Sequence, residues 1–137
     1  MTSTPTFAHS SLLVAVGGGF GAWLRHLTGR AWLALAGPAS ASAFPWATLT
    51  CNLAGSLAMG LLVGWLARHG TGGESTRLLL GVGVLGGYTT FSSFSLEAVM
   101  MLERRAYGTF AAYVAGSVTI SILALMLGLF LMRKVVP

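Results

Sequence analysis

The sequence predicts an all-α membrane protein with four transmembrane helices per subunit, the third broken near its middle. Three observations carry this expectation. Hydrophobic residues fill 55% of the 137 positions and charged residues only 8%, with a mean hydropathy of +0.79; an ordinary globular domain carries roughly 25% charged residues. A soluble fold this small leaves too much of its chain at the surface to hide so many apolar side chains. Four charge-free stretches, Ser10–Leu24, Pro45–Ala67, Leu78–Leu96 and Ala106–Met132, approach or exceed the about 20 residues that a spanning helix requires. Strand-like alternation is absent, and only helices and closed barrels satisfy their own backbone in a bilayer.

The length fits one domain, residues 1–137. The first helix is expected at about 8–29; its uncharged part is short, which puts Arg25 at an interface or against protein. The second is expected at about 45–68, after the turn-rich GPASASAFP of residues 37–45. The third is expected at about 75–102, after HGTGGES at 69–75, with a break near 86–90. The fourth follows the short Glu103–Arg105 turn at about 106–133. Met1–Ser11 lacks Lys and Arg, so no cleavable signal with a basic leading region is expected. Cys51 is the single cysteine and makes no intrachain disulfide. The net charge of +5 comes from scattered cations, which gives no basic run for nucleic acid.

Four helices put Arg68, Arg77, Arg133 and Lys134 on one side of the bilayer, and Arg25, Arg30, Arg104 and Arg105 on the other. Orientation follows an excess of Lys and Arg on the cytoplasmic side, and here the two sides are equal. A chain without bias can insert both ways and pair with an inverted copy of itself. The alternative is that eight cations are too few for the balance to carry meaning.

The second helix carries Thr48, Asn52, Ser56, Gly60 and Gly64 at intervals of four, and the fourth carries Thr109, Tyr113, Ser117 and Ser121 in the same spacing. Each set lies on one slowly drifting face. Small residues let membrane helices approach closely, and hydroxyls can bond across the contact; Gly17/Gly21, Gly60/Gly64 and Gly83/Gly87 are further pairs of this kind. An amide in hydrocarbon needs a partner, and the NH2 of Asn52 can face either an anion or a neighbouring helix. In the third helix, Gly86–Gly87 followed by Thr89 and Thr90 makes a poor helix interior. Irregular backbone at membrane depth is tolerated where it is buried in protein or lines a cavity, and its carbonyls can hold a cation. Phe91 and Phe94 share a face; phenyl edges are weakly positive and can attract an anion, or the rings can simply pack. Glu97, near a helix end, is either functional or solvated at an interface. The three histidines show no metal-ligand spacing, and no nucleotide-binding or hydrolase motif is present, so no enzyme is expected.

The segments G-A-W-L-R at 21–25, P-W-A-T-L-T-C-N-L-A-G-S at 45–56 and G-x-L-G-G-Y-T-T-F-S-S-F-S-x-E at 83–97 closely resemble the Fluc (CrcB) fluoride channels, across nearly the whole chain. The resemblance implies an antiparallel, dual-topology homodimer in the bacterial inner membrane, surrounded by lipid. It implies two fluoride pathways per dimer and passive fluoride export that gives fluoride resistance. It implies a structural sodium ion at the dimer centre, held by backbone carbonyls of Gly86 and Thr89 from both subunits. It implies that Phe91, Phe94 and Asn52 meet fluoride, that Thr48, Ser93, Glu97, Tyr113, Ser117 and Ser121 continue the pathway, and that Arg25 stands near its vestibule. Whether Ser92 or Ser93 faces the pathway stays open, and Cys51 receives no role. Two rival classes remain. A small multidrug-type transporter needs a carboxylate within a span, and the first helix has none. A non-transporting membrane assembly subunit needs neither donor stripes nor a broken helix.

Overall fold

The structure, a computed structural model, describes residues 6–69 and 73–135. The N-terminal residues 1–5 and residues 70–72 of the expected second loop lie outside the described residues. The described residues are helical almost throughout, and four helical spans are long and apolar enough to cross a membrane: Phe7–Ser40, Trp46–Arg68, Gly73–Glu103 and Tyr107–Lys134. The chain is thus a multi-pass, all-α membrane protein with an irregular third span.

The first helix runs Phe7–Ala43, capped by the Thr6 hydroxyl, which accepts from the His9 N–H. It is longer than the expected 8–29 and takes in most of the 37–45 loop. Arg25 and Arg30 suggest a membrane edge, but the run Ala31–Ala36 is made largely of good helix formers and carries the helix past it. Gly37 then turns through a left-handed φ of 74°, which favours glycine, and Pro38 opens a last helical segment, where a missing N–H costs nothing. The chain reverses at Phe44, which is extended, into the second helix, Trp46–His69.

The third span has two arms. The leading arm covers residues 73–88, and its Arg77–Leu85 section is π-helical, ending with the Gly86 N–H bonded to the Gly81 carbonyl. Gly86–Tyr88 returns to α geometry. The break lies at Thr89 (φ −78°, ψ 158°) and Thr90 (φ −152°, ψ 121°), inside the expected window but past the glycine pair. The trailing arm, Phe91–Glu103, starts with the Thr90 hydroxyl accepting from the Ser93 N–H at 3.1 Å. It stops at Arg105, whose positive φ of 58° lets the Ala106 N–H reach back to the Met101 carbonyl at 2.9 Å, a glycine-type helix stop. The fourth helix is Tyr107–Val135.

Two helix pairs form the bundle, each running parallel: first with third, second with fourth. Glycines set the distance in both. A Cβ on Gly21 would lie 2.0 Å from the Val84 carbonyl oxygen, and one on Gly87 would lie 2.4 Å from that of Gly18. In the second pair, Gly60 faces Leu125 and Gly128. The small-residue pairs seen in the sequence are therefore packing devices, and Gly87 serves close approach rather than unwinding. Gly128, the partner of Gly60, falls outside the spacing that exposed the others. At the far end of this pair, the Arg68 guanidinium donates to the Arg133 carbonyl. Phe94, Met101 and Tyr113 form a buried cluster that joins the trailing arm to the fourth helix.

Gly21→Ala is expected to push the first and third helices apart and to lower stability by about 1–3 kcal/mol through overpacking. Gly19, with nothing within 4 Å of its would-be Cβ, is the matched control: Gly19→Ala should be neutral or raise stability by up to about 1 kcal/mol. Thermal melts of purified protein in detergent, followed by tryptophan fluorescence, measure both.

Candidate functional site: a polar groove at the helix break

The break would leave backbone groups unsatisfied at membrane depth, and the second helix supplies the remedy. The Thr90 N–H donates to Asn52 Oδ1 at 2.8 Å, and Asn52 Nδ2 donates to the Thr90 carbonyl at 3.1 Å. The side-chain amide thus pairs with the extended residue as a neighbouring strand would. This pairing also frees something. The Thr90 N–H would meet the Gly86 carbonyl in a continuous helix; turned to Asn52, it leaves that oxygen without its helical donor. One residue earlier, Arg25 Nη1 donates to the Thr89 carbonyl over a long 3.4 Å. The Thr89 hydroxyl folds back on the Leu85 carbonyl at 2.9 Å.

On one side of this pairing lies a groove of about 310 Å³. Asn52, Phe91, Phe94, Ser117 and Ser121 line it together, with Ser56, Thr89 and Thr90. Phe91 is 78% exposed and Phe94 8%, with ring centroids 5.6 Å apart. Phe91 therefore stands on the open lip of the groove, while Phe94 is set into the bundle. The Ser117 and Ser121 hydroxyl oxygens are buried and have no hydrogen-bond partner among the described residues. A buried polar atom left alone costs about 1–3 kcal/mol, so two on one groove wall need an external partner.

A second cavity, of about 400 Å³, holds Arg25, Thr48, Ser93 and Glu97, together with His26 and Cys51. The Glu97 carboxylate accepts from the Thr48 hydroxyl at 2.7 Å and from the Tyr113 hydroxyl at 2.6 Å. Both donors are neutral hydroxyls, and both bonds are short. Tyr113, only 1% exposed, also packs on Phe94, with centroids 5.2 Å apart. It therefore connects the two cavities. Ser93 lines the second cavity beside Thr48 and Glu97, whereas Ser92 is exposed.

The residues expected at the site distribute over the groove, the second cavity and the break, while Tyr113 lines neither cavity and bridges Glu97 and Phe94. Asn52, Phe91, Phe94, Ser117 and Ser121 meet in the groove; Thr48, Ser93, Glu97 and Arg25 meet in the second cavity; Thr89 is the first residue of the break, and Gly86 lies three residues before it. Thr109, which shares the stripe of Tyr113, lines neither cavity. The sequence pattern missed Thr90, although a threonine three residues ahead of Ser93 at a helix start is a capping signal. It also missed Gly55, which lies between Asn52 and Ser56 on the groove wall.

Irregular backbone sealed by a side chain, with hydroxyl, amide and phenyl groups gathered in a groove beside it, defines a multi-pass membrane protein with a polar site at its broken third span. The chain belongs to the family described as CrcB-like protein, Camphor Resistance (CrcB), which matches residues 12–129. It is 55% identical to a protein of Novosphingobium aromaticivorans over 92% of this chain and 98% of that protein. It is 54% identical to one of Sphingopyxis alaskensis, over 88% and 93%, and 52% identical to one of Chelativorans sp., over 90% and 96%. Each of the three is called a fluoride-specific ion channel.

Asn52→Leu keeps the side-chain volume close but strips the Thr90 N–H and carbonyl of their partners. The loss of about 1–3 kcal/mol should speed amide exchange in the peptide spanning the break by about tenfold or more. Hydrogen–deuterium exchange by mass spectrometry tests this, with peptides from the second-helix/fourth-helix contact as the internal reference.

Proposed function

We propose that the protein is a passive, fluoride-selective ion channel, and not an enzyme, that lets fluoride leave the cytoplasm of a bacterial cell and so gives fluoride resistance. The observation that carries this is the pair of buried, unpartnered hydroxyls of Ser117 and Ser121 on a groove that also holds Asn52, Phe91 and Phe94. Relatives named as fluoride-specific channels, about half identical over most of the chain, support the choice of ion.

The chemistry follows from the donors. Fluoride is small and tightly hydrated, so a route through lipid must replace its water with several donors at once. Serine hydroxyls can turn their protons toward an anion, and Asn52 keeps a second N–H beyond the one given to Thr90. The two phenylalanine rings add weak edge attraction. Arg25 is the cation in the second cavity; lysine, a compact charge that would hold the ion in a deep well, lines neither cavity. Shallow binding along the route favours throughput. Glu97, tied to Thr48 and Tyr113, holds those hydroxyls in one arrangement at the inner end of the line. Export then needs no energy input, since the membrane potential drives an anion outward by about 2.3 kcal/mol per 100 mV.

The working unit proposed is an antiparallel, dual-topology homodimer with two pores, in the inner membrane. Gly86 and Phe91 are both exposed beside an open groove, as a face awaiting a second copy would be, and the cations divide evenly between the two sides. The Gly86 carbonyl, deprived of its helical donor, and the Thr89 carbonyl fit a hard cation that prefers oxygen ligands. These two residues from each subunit would hold the sodium ion, which supplies a fixed positive charge at the dimer centre when bound.

Proteoliposomes loaded with potassium fluoride and opened with a potassium ionophore should release fluoride rapidly, while matched vesicles loaded with chloride retain it. Ser117→Ala combined with Ser121→Ala should slow release by about tenfold or more, since donors to a charged group contribute about 1.5–3 kcal/mol each, and Phe94→Ala should slow it as well. The size of the purified dimer should not change. Equal release of both halides, or full flux in both variants, overturns the proposal.

A further inference from the structure

The groove and the break meet at a residue that has no side chain. Gly55 is buried on the second helix, three residues after Asn52 and so on nearly the same face. A Cβ built on it would lie 2.3 Å from the Thr89 Cγ2 methyl and 3.5 Å from the Tyr88 ring. The first distance is far inside van der Waals contact. The Thr89 methyl therefore occupies the space that any other residue at position 55 would fill.

Thr89 has little freedom to withdraw. Its hydroxyl is bonded to the Leu85 carbonyl at 2.9 Å, its N–H to the same oxygen at 3.0 Å, and its carbonyl accepts from Arg25. The next residue is clamped by Asn52 on both its N–H and its carbonyl. Moving the Thr89 methyl out of the Gly55 notch would rotate the side chain away from Leu85 or shift the extended segment as a unit. The first change costs the bond to Leu85; the second moves the Thr90 cap, and with it the start of the trailing arm that carries Phe91 and Phe94.

We propose that Gly55 is a positioning residue for the channel: the notch left by its missing side chain receives the Thr89 methyl and sets the depth of the helix break against the second helix. Asn52 satisfies the break, and Gly55 locates it. Gly55 itself offers no donor to an ion; it acts through Thr89. The functional part of this proposal rests on the fluoride-channel reading, while the steric part stands on the contact alone.

A double-mutant cycle between Gly55→Ala and Thr89→Ser separates the two. Serine keeps the hydroxyl that bonds Leu85 and removes only the methyl that the new Cβ would strike. Gly55→Ala alone should lower the thermal midpoint and slow fluoride release per folded protein by about tenfold, in line with overpacking of about 1–3 kcal/mol. Thr89→Ser, at a residue that also lines the groove, serves as the reference background, and adding Gly55→Ala to it should cost no more than about twofold, against about tenfold in the parent. Flux is normalised to protein that elutes as the intact dimer, because a variant that is merely less stable conducts normally once folded. If Gly55→Ala yields no folded protein, recovery of folded, conducting protein in the double variant supports the proposal equally. Additive losses, a double variant that fails to recover, or a Gly55→Ala protein identical to the parent each overturn the proposal. If the parent conducts no fluoride, the channel reading falls, and the melting midpoints alone then decide the steric claim.

Discussion

The two hydrogen bonds between the Asn52 side chain and the Thr90 backbone are the constraint on which the rest of the structure depends. A helix interrupted inside a bilayer exposes an N–H and a carbonyl where water cannot reach them, at a cost of several kcal/mol per group. An amide has one donor face and one acceptor face at the spacing of a peptide group, so a single asparagine can answer both. Aspartate lacks the donor, and serine or threonine lacks the reach and the second functional group. Once the amide is in place, two extended residues become tolerable in the middle of a span, and the third helix can change direction there.

That change of direction has consequences on both arms. The leading arm stays locked to the first helix through backbone-to-backbone approach at Gly21 and Gly87, a contact that no larger side chain permits. The trailing arm is released from that crossing and packs instead on the fourth helix, through Phe94, Met101 and Tyr113. The bundle is thus two rigid parallel pairs stitched together by a segment that belongs to neither. Polar side chains from the second and fourth helices converge along the stitch, where small residues and irregular backbone leave room for them.

The polar groups on this line divide by whether they already have partners. Glu97 accepts from Thr48 and Tyr113 at 2.6–2.7 Å, which closes one end of the polar set. Ser117 and Ser121 are unsatisfied, while Asn52 is half committed. In the channel proposed above, a line firm at one end and open along its length would let an ion exchange partners as it moves.

Sequence alone determined the number of spans, their order and the residue types at the site, because hydrophobic length and four-residue periodicity are local properties. It also pointed to the close helix contacts at Gly17, Gly60, Gly83 and their partners, since small residues one turn apart have few other uses in a membrane. The π-helical stretch at Arg77–Leu85, the length of the first helix beyond Arg30, and the location of the break at Thr89–Thr90 rather than at Gly86–Gly87 came only with the tertiary structure. Each is set by what lies across the contact. Gly87 is helical because Gly18 is against it, and Thr90 is extended because Asn52, 38 residues away, receives its N–H. Gly55 is the sharpest case: a glycine among small residues carries no signal of its own, and its meaning appears only when the methyl of Thr89 is found in the space it leaves.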